Sequence, residues 1–207
     1  MRRRDLLALA PLLVPLYARA AVTPAPLTPS DRADLARITA YLNGIKTLKA
    51  KFLQIAPNGA ASQGTVWLER PGRMRFQYDP PSPYLLVAGH GLLIFHDSSL
   101  DQTTNIPLAS TPLGLLLARR VELSGKVTVT RFVRQAGEID VTLVRTASPR
   151  QGSLTLTFST PPLRLRQWAV RDAEDKVTRV TLYDVVRGGK FKQDLFSYVP
   201  PPRRNLQ

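Results

Sequence analysis

The sequence predicts a mainly β protein, one antiparallel sheet with two helical pieces set against it. Three observations carry that prediction. From Lys49 onward apolar and polar residues alternate with a period near two, broken by Pro, Gly and Asn. Residues 28–45 instead place their apolar positions at helical spacing. Residues 107–119, PLASTPLGLLLAR, interrupt the strand pattern with an apolar run that starts like a short helix.

The chain begins with Arg2, Arg3 and Arg4, then a short apolar stretch from Leu6 to Leu16, then Ala18-Arg19-Ala20. That order reads as a cleavable secretory signal over residues 1–20, too short for a membrane span. Arg3-Arg4 also permits the twin-arginine route beside the Sec route. Residues 21–207 then form a single domain, long enough to enclose one sizeable core, and a periplasmic, soluble protein is expected. The chain has no cysteine. Neither a disulfide nor a lipid anchor on an N-terminal cysteine can therefore contribute, and burial must hold the fold together. Removing residues 1–20 takes away four basic residues and one acidic one, leaving 25 against 14, or +11. Such a charge favours anionic partners, or simply a well-solvated surface. Nucleic acid is set aside, because the arginines are scattered and no basic helix or zinc motif accompanies them.

After a Pro/Ala-rich leader at 21–27, Thr28-Pro29-Ser30-Asp31 supplies a cap, a first-turn proline and an acid three residues on. Leu35, Ile38, Leu42 and Ile45 then share one helical face, with Gly44 near the end. Strands are expected at 49–55, 62–69, 73–79, 83–88 and 92–97, then at 126–133, 138–146, 153–159, 163–171 and 176–186. A weaker candidate lies at 192–197.

Around Pro71-Gly72 a hairpin with a two- or four-residue loop would set 69 against 74, 67 against 76 and 65 against 78. Trp67, Met74, Phe76 and Tyr78 would then share one face, and Val66, Leu68, Arg75 and Gln77 the other. Tyr84–Val87 and Leu92–Phe95 are nearly continuous apolar runs, so both of their faces should be covered. Leu113, Leu115, Leu116 and Leu117 add more apolar surface than a short covering helix needs. These aromatics and leucines suit the walls of a lipid-sized pocket, and an ordinary core accounts for them as well.

Several stretches together resemble the LolA family of periplasmic lipoprotein carriers. They are YLNGIKTLKAKFLQ (41–54), GTVWLERPGRMRFQYDPP (64–81), LLVAGHGLLIFHD (85–97), STPLGLLLA (110–118) and TRVTLYDVVRGGKFKQDLFSYVPP (178–201). The resemblance implies an open, incomplete antiparallel β-barrel covered by an N-terminal helix and a short lid helix. It implies an apolar cavity that receives lipoprotein acyl chains from an inner-membrane ABC transporter and passes them to an outer-membrane acceptor. The family's arginine before proline falls on Arg70, the expected lid latch, and its cavity-facing aromatic falls on Met74, with Phe76 beyond. The cavity is expected to involve Trp67, Met74, Phe76, Tyr78, Leu85 and Phe95, and the lid Pro112, Leu113, Leu115, Leu116 and Leu117. In the register above Arg70 lies opposite Trp67, so the bend at Pro71 would have to turn it inward. A monomer is expected.

No catalytic or metal-binding constellation emerges. His90 and His96, with Asp97, fall short of the three or four ligands that zinc needs. No G-x-S-x-G elbow is present, and Gly188-Gly189-Lys190 lacks the remainder of a P-loop. Asp172, Glu174 and Asp175 read as a polar hairpin loop. Neither an enzyme nor a cofactor is expected. The competing readings are a lipid- or lipoprotein-sensing regulatory domain on the same half-barrel, which would carry a further C-terminal domain, and a carrier for another lipid such as a glycolipid. An outer-membrane acceptor would need an anchoring cysteine.

Overall fold

A computed structural model describes residues 22–200; the signal at 1–20 lies outside them. Helix α1 spans Pro29–Gly44, as the sequence pattern requires. The Thr28 hydroxyl accepts from the Asp31 amide at 3.2 Å, and the Asp31 carboxylate accepts from the Thr28 amide at 2.9 Å. This reciprocal pair satisfies two of the orphan donors at the helix start. Leu35, Ile38 and Leu42 bury one face of α1 into the core.

Among the described residues eleven antiparallel strands form one sheet. They are β1 Thr47–Ile55, β2 Ala61–Glu69, β3 Arg73–Tyr78, β4 Tyr84–Gly89, β5 Leu92–Asp97, β6 Gln102–Pro107, β7 Val127–Gln135, β8 Glu138–Arg145, β9 Ser153–Ser159, β10 Arg164–Arg171 and β11 Val177–Arg187. Their order is β6-β5-β4-β3-β2-β1-β11-β10-β9-β8-β7. Two meanders are thus joined through the β1–β11 ladder, and β6 and β7 remain as open edges. The segment linking those edges carries a 3-10 turn, Leu108–Ser110, and the short helix α2, Leu113–Leu116. The result is an unclosed, mostly β half-barrel with α1 and α2 against its packed face.

The β2–β3 hairpin differs from the expected register. Glu69 pairs with Arg73, Leu68 with Met74, Val66 with Phe76 and Gly64 with Tyr78. The loop is therefore Arg70-Pro71-Gly72, three residues, with Gly72 at φ 72. A three-residue hairpin loop closing on a left-handed glycine is a common solution. Its odd length moves the register by one, and that flips side chains between faces. Val66 and Leu68 join Met74, Phe76 and Tyr78 in the core, while Trp67 stands opposite Arg75 on the other face.

Two further differences concern the sheet's periphery. Strand β6, QTTNIP, carries no strand pattern in the sequence, because it is mostly polar, exposed throughout and held by its backbone ladder to β5. Residues 192–197 are not a strand. They contain a 3-10 turn, Gln193–Phe196, that lies as a strap over the outer side of β3 and β4. Phe196 is buried, Arg75 Nη1 donates to the Leu195 carbonyl at 3.3 Å, and the Tyr198 hydroxyl meets His96 Nδ1 at 3.0 Å. The strap explains why β4 and β5 are apolar on both faces: α2 and the core lie on one side and the strap covers the other.

Candidate functional site

The concave side of the half-barrel holds a cavity of about 430 Å³ under the first half of the lid. Phe76, Leu86 and Leu93 come from one meander, and Trp168, Val170 and Val180 from the other. Ser110, Thr111, Pro112 and Leu113 form the roof, and Gln151, Asp172, Glu174 and Thr178 add polar groups to the lining. The size falls within the roughly 300–1,000 Å³ of small-ligand sites. Below it Phe76 packs edge-on against Phe52, at 4.7 Å between centroids, and against Trp168, at 6.1 Å. The floor is therefore stiff and aromatic, while the roof is a four-residue helix on a long connection.

That roof is tethered. Arg70 Nε donates to the Leu116 carbonyl at 2.8 Å, and its Nη1 donates to the carbonyls of Ile45, at 3.2 Å, and Leu42. Leu116 ends α2, and Leu42 and Ile45 belong to the last turn and C-cap of α1. Helix C-termini leave carbonyls without partners and carry partial negative charge, so a cation there is favourable. Neither helix supplies a basic residue in its own last turn. Arg70 provides the charge to both from the β2–β3 turn. Burial lowers its pKa to about 10, so the guanidinium stays protonated at neutral pH.

Four more bonds hold the connection. Gly72 N donates to the Leu117 carbonyl at 2.9 Å, and Arg145 Nη2, from the end of β8, donates to the Thr111 carbonyl at 2.9 Å. The Asn43 amide exchanges two 2.9 Å bonds with Val121, replacing a backbone partner. Gly114 fits only because it lacks a Cβ, which would fall 2.4 Å from the Leu108 carbonyl.

Of the residues expected at the site, Phe76, Pro112 and Leu113 line the cavity. Arg70 points inward without help from the Pro71 bend: in the observed register it continues the parity of Val66 and Leu68. Met74 and Tyr78 share the concave face but are packed into the core. The Tyr78 hydroxyl donates to Gln54 Oε1 at 2.9 Å, and burial pushes its pKa up to about 12. Phe95 lies on the same face, half-buried against Tyr84 with ring centroids 5.4 Å apart. Leu116 and Leu117 are buried, and Leu115 is partly so.

Two expectations are corrected. Trp67 lies on the outer face, where it lines a groove beside the strap and lies 5.8 Å from the Lys49 ammonium. Leu85 pairs with Gln77 and His96 and so also faces outward. The Trp67 error comes from the one-residue register slip; Leu85 belongs to a run that is apolar on both faces, so composition alone did not say which face it takes. Leu86 and Leu93 were missed for the second reason, since an unbroken apolar run does not mark its inward positions. Trp168, in RLRQWAV, was visible as an aromatic within a strand, but nothing local said that β10 would face β3 across the concavity. Arg145 left no signal in the sequence. Among the described residues no cluster of three or more His, Cys, Asp or Glu is placed to hold a metal.

An open antiparallel sheet with a tethered lid over an apolar cavity defines a half-barrel binding protein. Residues 43–199 match the model of a family described as outer membrane lipoprotein carrier protein LolA. An outer-membrane lipoprotein carrier protein of Methylococcus capsulatus is 26% identical, with 92% of this chain and 92% of that protein aligned. One from Nitrosomonas europaea is 25% identical over 79% of this chain and 80% of its own. A solved structure of a DUF1329 family protein from Desulfovibrio piger shares the fold, with a TM-score of 0.50 at 9% identity, over 80% of this chain and 95% of that one. The chain belongs to the LolA family of outer-membrane lipoprotein carriers, a family of carriers rather than enzymes.

Proposed function

We propose that the protein is a periplasmic carrier that takes the acyl chains of a lipoprotein into the lidded cavity and hands them to an outer-membrane acceptor. An inner-membrane ABC transporter would supply the cargo. The observation that carries this reading is Arg70, which ties the lid and the end of α1 together beside an apolar cavity. Burying an acyl chain gains about 0.8 kcal/mol per CH2, so transit through water needs a dry compartment. Delivery needs an opposing term that favours the empty state, because a ligand shifts an equilibrium only by its differential affinity for the two states. The Arg70 bond to Leu116 supplies that term: it breaks when acyl chains lift α2 and re-forms on release. The cavity's polar rim leaves room for the polypeptide to remain in water while its lipids are enclosed.

Native mass spectrometry of the protein purified from periplasm tests this reading. A bound triacylated lipoprotein is the expected species. A glycolipid or phospholipid bound in its place, with no lipoprotein, would contradict it.

A further inference from the structure

A second groove, of about 590 Å³, opens where β10 and β11 part. It sits at the opposite end of these strands from the cavity rim at Asp172 and Glu174. The β10–β11 ladder runs from Arg171–Val177 to Gln167–Thr181 and stops. Beyond it, among the described residues, Arg164 and Leu165 pair only with β9, Leu182, Tyr183, Val186 and Arg187 pair only with β1, and Asp184 and Val185 stand outside both ladders.

The parting has a local cause. β10 is irregular between Leu165 and Gln167, and the β1–β11 ladder is irregular between Lys49 and Lys51, where Asp184 adopts φ 51. Bulges raise the local twist and end pairing. Two at one level pull the strands apart. Tyr41 of α1 fills part of the gap, and its hydroxyl accepts from the Leu165 amide at 3.0 Å.

What remains is a groove with unpaired main-chain edge on β11 and a basic lining. Arg164 and Arg166 are exposed, and the Arg187 guanidinium lies 5.3 Å from the centre of the Tyr41 ring. Asp184 is the one acid among the lining residues. Val185 and Val186 are 36% and 62% exposed. Proteins ordinarily cover or blunt a free strand edge. An extended polypeptide satisfies such an edge with its backbone, places alternate side chains on the valines, and can present carboxylates to the arginines. A lipid headgroup would answer the arginines alone.

We propose that this groove docks an extended, acidic segment of a partner protein, added as a strand beside β11 and ion-paired with Arg164, Arg166 and Arg187. The site is separate from the lidded cavity, and it stands whatever the cavity carries. A partner held there leaves the lid free, so docking and cargo transfer can occur together. It also gives a use to part of the chain's excess positive charge.

The test uses the whole protein, a short fluorescein-labelled peptide alternating Glu and Val, its Lys-Val counterpart, and phosphatidylglycerol vesicles. Anisotropy should show binding of the acidic peptide only, weakening as salt rises. Amide exchange should slow at 182–187. The double variant Arg164→Glu/Arg166→Glu should lose at least about tenfold in affinity. Arg164→Gln/Arg166→Gln should lose less and guards against misfolding of the reversed variant. Charge reversal at the exposed Arg119 and Arg120 should leave binding within about twofold, since they lie outside the groove. The proposal is overturned if the peptide does not bind, if both charge reversals weaken it equally, or if protection appears elsewhere. Vesicle binding that depends on Arg164 and Arg166 while the peptide is ignored would make the groove a membrane contact instead.

Discussion

Replacing Arg70 by leucine should separate loading from release. The side chain gives one bond to α2, at Leu116, and two to the end of α1, at Leu42 and Ile45. Hydrogen bonds to a charged group contribute roughly 1.5–3 kcal/mol each. The α1 bonds persist as long as Arg70 stays on α1, so only the Leu116 bond is necessarily lost when the lid lifts. At about 1.4 kcal/mol per tenfold, its removal shifts the lid roughly ten- to hundredfold toward open. Arg70→Leu should therefore hold cargo more tightly and pass it on more slowly by about that factor, while loading survives. Arg70→Lys should fall between, because one ammonium cannot serve both helix ends as the planar fork does. The assay is transfer of a labelled lipoprotein from loaded carrier to an acceptor, with a fluorophore at Leu115 reporting the lid. If the leucine variant loads poorly and releases at the normal rate, Arg70 supports the turn or the donor contact, and the latch argument fails.

Four other outcomes follow from the same geometry. Leu93→Glu places a carboxylate in the cavity wall at a half-buried position, so lipopeptide binding should fall by at least about tenfold while circular dichroism stays unchanged; normal binding would remove Leu93 from the acyl path. Gly114→Ala drives a Cβ toward the Leu108 carbonyl, and overpacking of about 1–3 kcal/mol should appear as faster amide exchange over 110–117, with β3 unaffected. Phe52→Ala empties a fully buried site between Phe76 and Tyr78 and should cost about 3–5 kcal/mol in urea unfolding; a loss under 1 kcal/mol would mean the aromatic floor is not packed as described. Arg145→Leu removes the bond to Thr111, so exchange should rise at 108–113 more than at 115–118, and an even rise would show that the two arginines do not hold separate ends of the lid.

The fold was legible wherever a pattern was local. Thr28 and Asp31 announced α1, and its apolar spacing named the buried face. Ten of the strands showed through period two and their Pro and Gly boundaries. Parity across a turn was not legible in the same way. GTVWLERPGRMRFQY fits an even or an odd loop, and only the left-handed Gly72 closing a three-residue loop settles it. One slip there exchanged Trp67 for Val66 and Leu68 and left Arg70 on the wrong side. β6 was missed because an exposed edge strand needs no apolar residue, and 192–197 misled because Phe196 buries its ring from a strap rather than from a strand. Contacts between the meanders were the least legible of all: Trp168 meets Phe76, and Arg145 reaches Thr111, only after the sheet has curved.

The chain's two tryptophans allow the central claim to be measured directly, because Trp168 lines the cavity and Trp67 lies on the opposite face. A lipopeptide carrying brominated acyl chains should be added to Trp67→Phe and to Trp168→Phe, and the fluorescence of the remaining tryptophan followed. If acyl chains are carried beneath the lid, Trp168 is strongly quenched in the first protein and Trp67 stays bright in the second. Quenching of Trp67 with Trp168 unaffected would place the lipid on the outside of the sheet and contradict the account.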